Sequence, residues 1–379
     1  MRVTICGAGR TGHLNAVLFK QRPGIVVSVL TGAVAVADRW MSGDGVWWTQ
    51  TPDGHVLSGR PDFVGTDPSE ALIDTDMVIV TQPAQARPAL LHSFARHLPR
   101  DKRVFVGAIP GFCGFNWLAA KILSGADNVV IWGMKDVPHT AYDLVPGERV
   151  RMGGAKAQLF AALHRRETSA SRTKLQAMLS RLYEAPVTLL QDYLEITLTP
   201  GNALMHPSVL YALVGPGAPW ENKPFDRPLC WWSDCPRAGA ELLENCDAEN
   251  QAIRHAIEER LRIDLSSVKP LRQELIEAYG SQIEDNRTMH TLLRTNRAYA
   301  GIRAPLVPNP DGPGLVIDRA SRAFHEDIAF GQALLVELAA RLEVATPVIT
   351  RTYNWALSYH GGFTEGAPAC LPTNWPEEA

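Results

Sequence analysis

Three residues in the second half of the sequence have side chains suited to proton transfer and anion binding. His206 lies in the segment Gly-Asn-Ala-Leu-Met-His-Pro, and Arg322 and Asp327 lie five residues apart at the start of a predicted helix. An imidazole exchanges protons near neutral pH, a carboxylate orients the imidazolium, and an arginine can hold a substrate carboxylate. Together these groups suit reduction of a 2-keto acid. Taken singly, each has a structural interpretation, as a satisfied histidine or a helix cap.

A glycine-rich turn near the N-terminus predicts a dinucleotide site. It lies between a strand predicted over Val3 to Cys6 and a helix predicted over Gly12 to Gln21. In such a turn the glycines permit a tight bend, close approach of the backbone to a pyrophosphate, and close packing of helix on strand. The predicted cofactor contacts are Gly7, Ala8, Gly9, Arg10, Thr11 and Gly12, with Pro83 after a later strand.

The end of the second predicted strand favours NADP(H) over NAD(H). An NAD site usually has an acidic residue here, which accepts a hydrogen bond from the ribose 2′-hydroxyl, but this chain has Leu30-Thr31-Gly32. Thr31 and the nearby Arg39 suit a 2′-phosphate, because a hydroxyl and a guanidinium both donate to phosphate oxygens. NAD(H) stays open as a cofactor, since Arg39 can equally be a solvated helix residue.

Two different patterns divide the chain, and they predict an α/β protein: a Rossmann-type doubly wound sheet with a second, mainly α-helical domain. In the first, short apolar runs alternate with helical stretches, as in βαβ units. The second consists of long amphipathic segments. We expect a dinucleotide-binding domain over residues 1–192 and a helical substrate domain over 193–379.

The individual elements follow from the same patterns. The further predicted strands are Ile25 to Leu30, Met77 to Thr81, Arg103 to Gly107 and Val129 to Trp132. The further predicted helices are Arg87 to His97, Ala240 to Leu261, a segment with Pro270 at its first position and Gly280 after its end, and one from Thr346-Pro347 to Gly361. Gly215 to Pro228 and Ala304 to Gly314 are predicted loops or lid elements.

Composition excludes several classes of protein. The 379 residues have a formal net charge of -3, with 46% hydrophobic and 20% charged residues. Because Lys and Arg are dispersed, no field gathers polyanions, and we expect neither nucleic acid nor membrane as a partner. Six scattered cysteines predict reduced, structural thiols and no metal site. With no signal-peptide pattern and no apolar run of roughly 20 residues, we expect a cytoplasmic protein. The sequence is compatible with a homodimer.

Over most of its length the chain resembles the octopine/opine dehydrogenase family. The resemblance runs from the glycine turn through Asn202 and His206-Pro207 to the last helix. Its more specific segments are Val209-Leu210-Tyr211, Asp264-Leu265-Ser266-Ser267-Val268, Thr295-Asn296-Arg297-Ala298-Tyr299-Ala300-Gly301, Arg322 to Asp327 and Thr346-Pro347. The resemblance implies reductive condensation of an amino acid with a 2-keto acid, using hydride from NAD(P)H. It also implies that His206 is the acid/base residue and that Arg322 and Asp327 complete its relay and substrate contacts.

The substrate side of the site is less closely specified. Asn202, Tyr299, Arg322 and Asp136 are the predicted substrate contacts. Where family members often present small polar groups to the keto acid, this chain has Ile109 and Asp136, and an acidic Asp136 would repel a keto-acid carboxylate. Pyruvate is therefore one candidate among several. Tryptophans at 220, 231 and 232 either wall the amine pocket or pack loops onto the domain.

Two other functions stay open. One is a two-domain NADP-dependent keto-acid reductase that needs no amine partner. The other is a non-catalytic protein that senses NADP(H) through its glycine turn. Dependence of cofactor oxidation on an added amine separates the first from an opine dehydrogenase, and complete absence of turnover identifies the second.

Overall fold

The computed structural model describes residues 1–363 and 366–377. The chain divides into two compact units, Met1–Thr197 and Leu198–Ala379. The boundary expected from the sequence lay after residue 192, where the βαβ pattern fades. The structure instead keeps a short helix, Leu194–Thr197, with the first unit.

The first unit is built on an eight-stranded sheet in the order β12-β11-β8-β7-β6-β1-β2-β5. Its neighbouring strands run parallel except for β8 and β11. The strands are β1 (Arg2–Cys6), β2 (Val26–Leu30), β5 (Phe63–Gly65), β6 (Met77–Val80), β7 (Val104–Ala108), β8 (Val129–Met134), β11 (Leu159–Leu163) and β12 (Val187–Leu189). All four residues of β6 are buried, as expected for a strand covered on both faces. The five predicted strands are confirmed, with ends that differ by one or two residues.

A smaller sheet in the first unit was not predicted. Its strands are β3 (Trp47–Gln50), β4 (Val56–Gly59), β9 (His139–Val145) and β10 (Arg149–Ala155), in the order β4-β3-β10-β9. The buried residues of these strands are Trp47, Thr49 and Val150, so hydrophobic patterning gave little sign of the strands.

The first unit also contains helices between and after the strands of the large sheet. They are α1 (Arg10–Lys20), α2 (Val34–Ser42), α3 (Pro68–Ala71), α4 (Arg87–Phe94), α5 (Phe115–Ile122), α6 (Ser169–Leu182) and α7 (Leu194–Thr197). The helix predicted over Arg87 to His97 forms, but its last three residues are a 3-10 turn. The doubly wound sheet predicted from the sequence is thereby confirmed.

The second unit is mainly helical, as predicted. Its helices are α8 (Asn202–Val214), α9 (Arg237–Leu261), α10 (Leu271–Tyr279), α11 (Met289–Thr295), a π-helix (Ala323–Gln332), α12 (Ala333–Arg341) and α13 (Pro347–His360). Pro347 opens α13 and Gly361 follows its end with φ at 98°, both as predicted. Pro270 precedes the first helical residue of α10 rather than occupying it.

The predicted loop from Ala304 to Gly314 is only partly a loop. Strand β13 (Leu306–Pro308) lies within it and pairs antiparallel with β14 (Leu315–Ile317). Strand β14 also contacts the other predicted loop through an isolated bridge from Leu315 to Phe225. These short pairings join the two segments to each other through β14, where local sequence showed only turn residues.

All six cysteines are free. Among the described helices, none has both the length and the apolar character to cross a bilayer.

Candidate active site

The imidazole of His206 and the carboxylate of Asp327 form a hydrogen-bonded pair in the helical unit. Nδ1 of His206 lies 2.8 Å from Oδ2 of Asp327, with the Asp327 side chain 3% exposed and that of His206 16% exposed. Because Nδ1 is engaged by a carboxylate, the pair favours the tautomer that leaves Nε2 available for proton exchange.

Helix α8 presents His206 and Asn202 on one face. They are four residues apart, the spacing that aligns side chains on an α-helix, and Asn202 is the exposed first residue of the helix. Pro207 lies inside α8, where it lacks an N–H for the helical ladder. The helix persists because buried residues such as Val209 and Leu210 pack it into the unit.

Asp327 is held by the π-helix Ala323–Gln332. In an α-helix, residues five apart point about 140° away from each other. The wider turn of a π-helix, with bonds from residue i to i+5, brings such residues toward one face. Arg322 immediately precedes this helix, and its side chain is exposed whereas that of Asp327 is buried. The spacing of hydrophobic residues in the sequence does not distinguish this π-helix from an α-helix.

The guanidinium of Arg322 is paired with Glu326, a residue for which the sequence predicted no role. Arg322 Nε donates to Glu326 Oε2 at 2.8 Å, and Nη2 donates to the same oxygen. The Glu326 side chain is 2% exposed, whereas that of Arg322 is 64% exposed. The buried carboxylate of Glu326 thus orients the exposed guanidinium of Arg322, which lies five residues before Asp327. The i, i+4 spacing of the two residues was the available signal.

Burial governs the electrostatics of Asp327. Desolvation raises the pKa of this carboxyl, while the hydrogen bond with His206 acts in the opposite direction. Its other oxygen, Oδ1, meets no hydrogen-bond donor among the residues that the structure describes. The His206 imidazole is therefore the main group that stabilises the carboxylate charge, and the carboxylate stabilises the imidazolium in return.

Stacked aromatic rings fix the plane of the imidazole. The His206 ring centroid lies 4.7 Å from that of Trp231 and 5.6 Å from that of Trp232, with interplanar angles of 20° and 14°. Trp232 also contacts Tyr299, whose ring lies against Tyr279. Both tryptophans are buried. They therefore pack around the histidine, and Trp220 packs separately on Phe225.

The glycine turn in the first unit has the geometry that a dinucleotide cradle needs. Gly7 has φ at 118°, a conformation that favours glycine. A Cβ atom on Gly12 would lie 1.8 Å from the Gly7 carbonyl oxygen, whereas one on Gly9 would meet nothing within 4 Å. Helix α1 begins at Arg10 without a side-chain cap. Its first N–H groups lack intrahelical partners and suit a pyrophosphate.

The structure places Thr31 and Arg39 differently with respect to solvent. Thr31 is 4% exposed, and its hydroxyl accepts a hydrogen bond from the Ala33 N–H at 3.1 Å. Arg39 lies on α2 with a 52% exposed side chain and donates to Glu148 at 3.0 Å. Thr31 thus shapes the turn after β2, and Arg39 is the exposed cation near it. Their contacts to a cofactor stay predictions.

The remaining predicted residues of the first unit lie near the ends of strands. Pro83 follows β6 and begins a 3-10 turn. Ile109 follows β7 and is buried, so it offers no surface to a keto acid. Asp136 follows β8, is half-exposed and pairs with Lys156 at 2.9 Å. The lysine offsets the repulsion that an isolated Asp136 would exert on a carboxylate.

No cluster of three or more metal-ligating side chains occurs in the part of the chain that the structure describes.

Comparison with known proteins finds a matching family model, related sequences and similar solved structures. Residues 189–360 match the family model described as NAD/NADP octopine/nopaline dehydrogenase, alpha-helical domain. The chain is 74% identical to an uncharacterised protein, y4xO, of Sinorhizobium fredii over the full length of both. It is 28% identical to the tauropine dehydrogenase of Arabella iricolor, covering 95% of this chain and 91% of the relative. The solved structure of an octopine dehydrogenase in complex with NADH and agmatine matches with a TM-score of 0.83 and 26% identity, covering 95% of this chain and 90% of that one.

Proposed function

The chain belongs to the opine dehydrogenase family, and we propose that it catalyses the NAD(P)H-dependent reductive condensation of an amino acid with a 2-keto acid. The product is an N-(carboxyalkyl) amino acid, a secondary amine with two carboxylates. The observation that carries the proposal is the pair of His206 and Asp327 at 2.8 Å, which supplies the proton exchange that this reaction needs.

His206 first acts as a base. An amino acid at neutral pH carries an ammonium group, which has no lone pair for attack on a carbonyl carbon. Nε2 of His206 takes one proton from this group, and the neutral amine then attacks C2 of the keto acid to form a carbinolamine. Asp327 stabilises the imidazolium through Nδ1.

His206 then acts as an acid. The imidazolium returns its proton to the carbinolamine hydroxyl, which leaves as water while the nitrogen lone pair forms the C=N bond of an iminium ion. A bound nicotinamide cofactor would supply the hydride that adds to the iminium carbon and gives the secondary amine. The residues proposed to hold that cofactor are those of the glycine turn, residues 7–12, together with Pro83.

Arg322 binds a substrate carboxylate in this proposal. A carboxylate is costly to desolvate without a cation, and a guanidinium matches its geometry. Glu326 holds the guanidinium in place and lowers its net charge, so Arg322 acts as an oriented donor. The further proposed substrate contacts are Asn202, on the face of α8 that carries His206, and Tyr299, in the aromatic cluster. Asp136 is proposed to lie near the keto acid.

NADP(H) is the proposed preferred cofactor. The turn after β2 has no acidic side chain to accept from a ribose 2′-hydroxyl, and Arg39 lies exposed on the helix that follows. Its pairing with Glu148 weakens this preference without removing it, because an exposed pair exchanges partners at little cost.

The experiment that tests the proposed reaction follows NADPH and NADH oxidation with a panel of 2-keto acids, each alone and then with a mixture of amino acids. The proposal expects oxidation only when both partners are present, and a product whose mass equals amine plus keto acid minus one oxygen atom. Oxidation by a keto acid alone contradicts it and indicates a simple reductase. Cofactor binding without any turnover indicates the sensing function.

A further inference from the structure

Three successive carbonyl groups after strand β7 accept hydrogen bonds from two buried side chains. Arg87 Nη2 donates to the Pro110 oxygen and Nη1 to the Phe112 oxygen, each at 2.9 Å. Between them, the Tyr193 hydroxyl donates to the Gly111 oxygen, also at 2.9 Å. Arg87 and Tyr193 are each 1% exposed. Buried side chains therefore fix the path of this segment beyond the end of its strand.

Arg87 also reaches the loop after the neighbouring strand. Its Nε donates to the carbonyl oxygen of Gln82 at 3.1 Å, and Gln82 lies two residues after the end of β6. Strands β6 and β7 are paired in parallel. One guanidinium thus joins the loops that leave the carboxyl ends of two adjacent strands.

The charge of Arg87 has no carboxylate partner among the described residues. Its guanidinium lies 5.8 Å from the centroid of the Phe112 ring and 5.7 Å from that of Phe115. Carbonyl dipoles and ring faces stabilise the buried cation, but a hydrophobic side chain could fill the same space without the cost of desolvating a charge. Packing alone does not account for an arginine here, whereas the three carbonyl contacts to two loops do.

Two glycines make room for the Tyr193 hydroxyl. A Cβ atom on Gly111 would lie 2.6 Å from this oxygen, and one on Gly133 would lie 2.1 Å from it. Gly111 also donates its N–H to the Met134 carbonyl at 2.7 Å. The segment after β7 is therefore tied both to Tyr193 and to the end of β8, at positions where larger residues would not fit.

These loops belong to the second half of a dinucleotide-binding sheet. In a doubly wound sheet the ligand binds outside the carboxyl ends of the strands, with one mononucleotide on each half. The glycine turn after β1 serves the half that contains β1 and β2. The loops after β6 and β7 lie in the other half, which takes the second mononucleotide.

We propose that Arg87 and Tyr193 are positioning residues for the nicotinamide half of the cofactor. They act through the backbone of Gln82 and of Pro110, Gly111 and Phe112, which they hold in one arrangement before the cofactor binds. The inference rests on the nicotinamide cofactor of the proposed function but on neither of its two substrates, so it can fail or hold independently of the condensation reaction.

Binding measurements on three variants test this role. Titration calorimetry gives dissociation constants for NADPH, NADH and ADP-ribose, which lacks the nicotinamide. Arg87→Met should weaken binding of both NADPH and NADH by about tenfold or more and leave ADP-ribose binding within about twofold of wild type. Arg87→Lys should restore part of the loss, because one ammonium can still donate to carbonyl oxygens. Tyr193→Phe, which removes only the hydroxyl, should weaken NADPH binding in the same selective way and by less.

Arg172→Met is the matched control. Arg172 also donates to two backbone carbonyls in the first unit, those of Leu189 and Leu190, which belong to the β12 end of the sheet. This variant should bind NADPH as wild type does. Circular dichroism checks folding, and if Arg87→Met does not fold, Arg87→Lys and Tyr193→Phe decide. Unchanged NADPH binding in the folded variants, or equal losses for NADPH and ADP-ribose, would overturn the proposal.

Discussion

Nδ1 of His206 lies 2.8 Å from Oδ2 of Asp327, although the two residues are 121 positions apart in the sequence. One comes from α8 and the other from the π-helix, and both elements belong to the same compact unit. The contact that orients the imidazole therefore lies within the helical unit.

Replacing Asp327 should separate activity from stability. Asp327→Asn keeps the size of the side chain and can still accept from Nδ1, but it removes the charge that stabilises the imidazolium. We expect kcat to fall by about 10² to 10⁴-fold. Steady-state oxidation of NADPH in the presence of both substrates measures this. A loss of less than about threefold would contradict the role of the carboxylate.

The same variant has an expected signature in stability. Burial raises the pKa of Asp327 above its value in the unfolded chain, so the folded state binds the proton more tightly. The ionised carboxylate then lowers the free energy of unfolding as pH rises through the range between the unfolded and folded pKa values. Asp327→Asn should therefore melt no lower than wild type at pH 7.5, and its relative advantage should shrink in acid. A markedly lower melting temperature of Asp327→Asn at pH 7.5 would contradict a net cost of burying the Asp327 charge.

The aromatic stack should matter for turnover through the orientation of His206. Trp231→Leu removes the ring 4.7 Å from the imidazole, and we expect kcat to fall by about tenfold. Trp231→Phe restores an aromatic face and should recover much of this loss. Trp220→Leu is the control, since Trp220 packs against Phe225 and not against the histidine. Equal kcat values for the three variants at equal folded fraction would exclude a positioning role for Trp231.

Arg39 should influence the choice of cofactor. Arg39→Ala removes the exposed cation near the turn after β2, and we expect the KM for NADPH to rise by about tenfold while that for NADH changes little. Glu148→Gln removes the partner of Arg39 and should shift the preference further toward NADPH. Parallel changes in the two KM values for Arg39→Ala would show that this residue does not meet a 2′-phosphate.

Buried His13 should make the first unit sensitive to acid. Burial lowers the pKa of His13 from 6.5 to about 4, so between these values the unfolded chain binds more protons than the folded one. The free energy of unfolding then falls as pH drops through this window, by about 3 kcal/mol in total. Urea unfolding at several pH values measures the slope. His13→Phe, which keeps a ring to stack on Trp47, should reduce it, and an unchanged slope in this variant would contradict the role of His13.

Much of the fold follows from patterns that the sequence displays directly. Residues 7–12 follow a short apolar run, and the structure places residues 7–9 between β1 and α1 and residues 10–12 in the first turn of α1. Strands buried on both faces leave continuous apolar runs, as Met77–Val80 does. The sheet of β3, β4, β9 and β10 gave no such run, because many of its residues are exposed.

The site was predictable in its chemistry and less so in its geometry. His206, Arg322 and Asp327 were recognisable by residue type and by resemblance, and the structure brings His206 and Asp327 into contact. The π-helix follows from tertiary packing and has no distinctive spacing in the sequence. Contacts between distant segments, such as Trp231 with His206 or Arg87 with Pro110, cannot be derived from local patterns.

The most direct test of the account is the turnover of His206→Asn with NADPH, a keto acid and an amino acid that support the wild-type reaction. The asparagine has no proton to exchange near neutral pH and is smaller than the imidazole that it replaces. We predict a kcat at least about 10²-fold below wild type, with NADPH binding and melting temperature retained. Turnover within a few-fold of wild type would contradict the assignment of His206 as the acid/base residue.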